Sequence, residues 1–211
     1  MRRKSPFVLM AALVMSGAVV AQEQQRIPSP RGQAATQILG EYQEVDGRQQ
    51  YTGGQWIEID YGRPIKRGRT LFGSGADYAT QLYAGAPIWR AGANSSTRFR
   101  TETPLVFAGQ TLPAGEYSMF IDLAGPNDWT LVFSRLAAQP QPRQGEGIWG
   151  AYGYTADQDV FRAPMTVSQL PFSVDQLTWS FVDVSRTGGT LAIMWDTTMG
   201  AIDFTAAEAG S

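Results

Sequence analysis

Arg63, Lys66, Arg67, Arg69 and Arg90 crowd into one stretch of the chain, with Trp89 beside Arg90 and Asn94 four residues on. Lys66 is the one lysine beyond Lys4. A guanidinium is a planar fork that matches a carboxylate or phosphate, an indole covers an apolar ring face, and an asparagine amide both donates and accepts. Glycines through the same stretch let a backbone come close to a ligand. The chemistry this points to is recognition of an anionic group. The candidate ligand-binding residues are Arg63, Lys66, Arg69, Trp89, Arg90 and Asn94, and the expected partner is an acidic small molecule or saccharide. The same cations suit a second job, pairing with Glu58, Asp60 or backbone carbonyls to pin a long loop.

Catalysis has fewer openings. The chain has no histidine and no cysteine, so the ordinary serine and cysteine triads and histidine-based zinc sites are closed. No catalytic residue, no metal ligand and no cofactor is assigned. Glu58 and Asp60 point the same way from one strand, about 6.5–7 Å apart, a spacing that suits an acid–base pair in glycoside hydrolysis. A glycan-active enzyme using Glu58, Asp60, Tyr61 or Lys66 is therefore one alternative, and a purely structural envelope protein is another. The polar face of a strand accounts for Glu58 and Asp60 more simply. Asp157-Gln158-Asp159 offers two carboxylates on a turn but lacks the rest of a calcium loop.

The elements that must carry these side chains read as strands. Ile57, Ile59 and Tyr61 alternate with Glu58 and Asp60, and Tyr117, Met119, Ile121 and Leu123 share one face. Trp129, Leu131 and Phe133 alternate likewise, as do Leu191, Ile193 and Trp195. Leu177, Trp179 and Phe181 share a face before the apolar phase slips to Val182 and Val184, which a bulge would explain. Leu112-Pro-Ala-Gly115 reads as a turn, and Thr187-Gly-Gly-Thr190 as the turn of a hairpin. Short strands at close intervals, without helical stripes between them, predict an all-β fold: a single antiparallel β-sandwich, jelly-roll-like. Residues 62–95 and Ala137–Gly147 lack periodicity and are expected as long loops, the kind that often carry function.

Arg2, Arg3 and Lys4 precede an apolar run from Phe7 to Val20, and Val19 and Ala21 fit a signal-peptidase site. The expectation is a signal peptide over residues 1–21, a polar tether over 22–33, one domain over 34–205 and a tail over 206–211. The apolar run is shorter than the roughly 20 residues a membrane span needs. The expected location is the periplasm or the extracellular space, with no membrane span left after cleavage. Loss of the three leading cations takes the chain's 17 basic against 19 acidic residues to a net charge of about −5. That balance argues against a nucleic-acid or anionic-membrane partner.

Several motifs together resemble one family. Ser29-Pro30-Arg31, Ile59-Asp60-Tyr61-Gly62-Arg63-Pro64, Lys66-Arg67-Gly68-Arg69 and Phe72-Gly73 carry the likeness in the first half. Trp89-Arg90-Ala-Gly-Ala-Asn94, Leu112-Pro-Ala-Gly115, Trp149-Gly150-Ala151-Tyr152 and Asp159-Val160 extend it. In this order they resemble the exported bacterial family DUF-2911, a domain of unknown function. The resemblance spans nearly all of residues 29–200 and implies export and one β-rich domain, but no activity. Ser95 stands where an acidic residue is expected after the Gly-Ala-Asn motif.

Overall fold

The computed structural model describes residues 28–207. The expected signal peptide, the first half of the tether and the last four residues lie outside the described residues. The chain is all-β. Its strands are β1 (Arg31–Ile38), β2 (Glu41–Val45), β3 (Arg48–Thr52), β4 (Gln55–Gly62), β5 (Thr97–Thr101), β6 (Leu105–Phe107), β7 (Gln110–Leu112), β8 (Gly115–Gly125), β9 (Asp128–Ser134), β10 (Asp159–Val182) and β11 (Gly188–Ala206). Nine of them form one antiparallel ribbon in the order β1-β4-β5-β8-β9-β10-β11-β6-β7, and β2–β3 is a separate hairpin. Among the described residues no helix is long and apolar enough to cross a membrane.

The ribbon doubles over into a sandwich because β10 changes partners along its length. Asp159–Met165 pairs with β9, and Thr166–Val182 pairs with β11. The two prolines in this long strand sit where they cost little. Pro164 lies before the β11 ladder begins, and Pro171 lies inside a register break between Gln169 and Val174. Folding over brings Phe107 of β6 against Phe161 of β10 at 5.6 Å and Phe133 of β9 at 5.6 Å, while Phe99 of β5 meets Phe133 at 4.7 Å. Such pairs add to what apolar burial alone supplies. The excursion of β6–β7 to the far layer between β5 and β8 gives the fold its jelly-roll-like wrapping.

The alternation read from the sequence places its residues well. Tyr117, Ile121, Trp129, Leu131, Phe133, Trp179, Ile193 and Trp195 are all buried, and Phe181 is half-buried. β8 and β9 depart from a one-sided strand. Phe120 and Val132, on their outer face, are also buried, under Ile88, Ile148 and Ala151 from the long loops. The domain also starts earlier than expected: Arg31, Gly32 and Gln33, read as tether, pair with Gly62, Tyr61 and Asp60. Small and polar residues on an edge strand leave little apolar alternation to read.

Candidate functional site

The segment from Arg63 to Ser96 joins two neighbouring strands, β4 and β5, yet stitches the whole molecule together. Near its start, Lys66 N–H donates to Asp175 O at 2.6 Å and Leu177 N–H donates to Pro64 O at 3.0 Å, tying the segment to β10. Near its end, Trp89 exchanges both backbone hydrogen bonds with Ile121 of β8, at 2.9 and 3.2 Å. In between, Leu71 and Leu82 are buried in the main core. The small residues of the Ala91-Gly92-Ala93-Asn94 run have a steric cause. A Cβ on Gly62 would stand 2.0 Å from Ala93 O, and one on Gly92 would stand 2.8 Å from Thr97 Oγ1. Ala91 and Asn94 both adopt positive φ, of 49° and 64°, and curl the run back onto β4.

This packing leaves an open cleft of about 300 Å3. Four of the six predicted site residues border it: Arg69, Trp89, Arg90 and Asn94, joined by Trp195 and Gln81. Arg69 donates to Ile65 O at 2.7 Å and Lys66 O at 3.0 Å, and its guanidinium lies 5.9 Å from the Trp195 ring centroid. Arg90 donates to Asn94 O at 2.9 Å and stands 5.4 Å over the Tyr152 ring. Gly150 makes room for it, since a Cβ there would come 2.6 Å from Arg90 Nη1. Asn94 Nδ2 donates to Ser29 O at 3.3 Å. Cation–π contacts of this kind hold a guanidinium in place without neutralising it.

Trp89 does not offer an open ring face. It is 2% exposed, stacked on Trp195 at 6.4 Å and edge-on to Trp129 at 6.2 Å, so it backs the cleft from within the core. Arg63 and Lys66 lie outside the cleft lining. Arg63 donates to Leu177 O at 3.4 Å and Thr178 Oγ1 at 3.3 Å. Lys66 Nζ donates to Asp196, which also accepts from Ser173 Oγ at 2.8 Å. The lysine holds the Asp196 carboxyl below its ordinary value. For these two cations, pinning a loop is what the geometry shows.

The residues considered for acid–base work do not converge. Glu58 pairs with its cross-strand neighbour Arg100 on the outer face, and Asp60 sits opposite Arg98. Tyr61 is buried and its hydroxyl accepts from Trp179 N–H at 3.1 Å. Asp159 parts from the exposed Asp157 and accepts from Tyr154 Oη at 2.6 Å and Arg162 Nη1 at 3.0 Å. Burial, then the Asp159 hydrogen bond, raise the Tyr154 phenol well above its usual range. Among the described residues, no group of three or more acidic, histidine or cysteine side chains could hold a metal ion.

The family motifs now fall on one piece of architecture. Four of the motifs meet at the 90–94 run: Gly62 packs against Ala93, Gly150 against Arg90, and Asn94 Nδ2 donates to Ser29 O. The family model described as "Protein of unknown function (DUF2911)" matches residues 44–204. The chain belongs to this family. Searches of curated proteins and of solved structures found no match. In this DUF2911 chain Trp195 and Tyr152 join the site although neither lies in the Arg63–Asn94 segment. Tyr152 sits in the Trp149-Gly150-Ala151-Tyr152 motif, which was its signal in the sequence, whereas Trp195 reads there only as one more core position.

Proposed function

We propose that this DUF2911 protein is a non-catalytic binding domain of the periplasm or cell exterior, whose cleft takes a carboxylate-bearing small molecule or acidic saccharide. One observation carries the reading. Arg69 and Arg90 border the same cleft, and neither has a carboxylate within 4.0 Å among the described residues. Two uncompensated guanidiniums at one opening make a local positive field that attracts an anion, although the chain as a whole is net negative. Both are held by carbonyls and aromatic faces, so their forks are oriented before a ligand arrives.

Thermal denaturation with galacturonate, and with galactose as the neutral control, tests this. Galacturonate raises the melting temperature of the wild type and galactose at the same concentration does not. Losing one charged partner of such a contact costs about 2–5 kcal/mol of binding, so Arg69→Ala and Arg90→Ala abolish the shift. Lys66→Met retains it. Arg90→Ala also lowers the unliganded melting temperature, because it gives up Asn94 O and the Tyr152 face; the ligand-induced increment is therefore the deciding quantity. An absent increment with galacturonate, or one that survives both arginine substitutions, rules the reading out.

A further inference from the structure

We propose a second ligand site, for a neutral saccharide, in the cleft of about 590 Å3 between the β2–β3 hairpin and the turn that joins β10 to β11. It shares no lining residue with the Arg69–Arg90 cleft and rests on different observations. Its volume lies within the range usual for small-molecule sites.

The site is built around two tyrosines. Tyr42 and Tyr51 are directly opposite each other across the hairpin, so their rings share a face, edge-on at 5.3 Å. Tyr51 is fixed from several sides. A Cβ on Gly40 would stand 2.5 Å from its ring and one on Gly54 would stand 2.7 Å from it, so two glycines make the slot the ring occupies. Its hydroxyl accepts from Gly40 N–H at 3.0 Å, and among the described residues that hydroxyl finds no acceptor for its own proton. Tyr42 is 73% exposed, more than any other large apolar side chain among the described residues.

A rigid aromatic surface beside a free hydroxyl donor suits a pyranose ring. Its C–H face lies on the ring, and its hydroxyls reach planar polar groups at the rim. Gln37, Glu41 and Arg186 supply such groups, an amide, a carboxylate and a guanidinium. The two charges at the rim offset each other, so the cleft favours an uncharged ligand. That sets its specificity apart from the Arg69–Arg90 cleft. Exposed tyrosine rings lose little conformational freedom on binding, which is why such residues recur where surfaces recognise ligands.

Isothermal titration calorimetry of the whole protein with cellohexaose and with maltohexaose tests the proposal. One of these glucose chains binds, and Tyr42→Ala weakens it by about tenfold or more. That variant keeps its fold, because the ring removed is mostly in solvent. Tyr51→Phe keeps the ring, loses the donor and weakens binding by a smaller factor. Arg69→Ala leaves saccharide binding unchanged, so failure of the anion cleft and failure of this site are distinguishable. Binding by neither oligomer overturns the proposal, as does Tyr42→Ala binding as tightly as the wild type, or loss of saccharide binding in Arg69→Ala.

Discussion

Lys66 and Asp196 show what the cations of this segment do when they are not facing a cleft. The pair bridges the segment and β11, with Ser173 of β10 as a third member, at about one-fifth exposure on each side. The Asp196 carboxyl titrates below its ordinary value, 3.8, chiefly through the Lys66 hydrogen bond. A depressed carboxylate contributes stability that is fully present above the unfolded value and is lost as pH falls through the folded one. Lys66→Met therefore destabilises the protein near neutral pH, and the gap to wild type closes on acidification. Urea midpoints measured at about pH 6 and about pH 3 check this. A gap of equal size at both values would mean that the lysine acts through packing alone. The residue types were legible as a basic cluster, but their division into two loop pins and two cleft-facing forks was not. Arg63 and Arg69 look alike in sequence, and their different fates depend on Leu177, Thr178 and Trp195, more than a hundred positions away.

At the scale of elements, the strand faces were the readable part and the partner exchange was not. Period-two alternation identifies β4, β8, β9 and the start of β11 because each turns one apolar face to the core. β10 hides most of its length. Pro164, Pro171 and a run of polar residues break the apolar rhythm where the strand passes from one layer to the other and its ladder is interrupted. Trp89 misled for a related reason. A tryptophan beside an arginine in a loop suggests a ligand-facing ring, but its backbone bridge to Ile121 turns it into core. The glycines were better guides. Gly62 exists because Ala93 lies on it, so Gly62→Ala must push the 91–94 run outward and costs about 1–3 kcal/mol, the usual penalty for overpacking. A lowered urea midpoint together with loss of the galacturonate increment is the expected result, because Arg90 is anchored to that run. A midpoint equal to wild type would place the tight contact elsewhere.

Over the whole molecule, stability comes without disulfides, from one aromatic core that both layers share. Phe133 stands at its centre, within 6.0 Å of Phe99, Phe107, Tyr117 and Phe161. Phe133→Ala is expected to cost about 3–5 kcal/mol, the sum of lost transfer energy and the cavity left behind. Because its neighbours come from both layers, the loss should appear as one lowered transition in both far- and near-ultraviolet circular dichroism. Two separated transitions would show that the layers fold independently. The family match says that the chain is a DUF2911 member over most of its length.

The strand held in common by both layers has a further consequence. β10 leaves no hinge between them, and the Arg63–Ser96 segment is tied to β10 at one end and β8 at the other. Among the described residues, the cleft-bearing segment is thus anchored near both ends to strands of the sandwich. On the proposed binding reading, a molecule entering between Arg69 and Arg90 would meet walls held by these ties, and would be selected by its own shape and charge rather than enclosed. Its dwell time is then set by the contacts it breaks on leaving, and its arrival by diffusion and the field of two uncompensated charges.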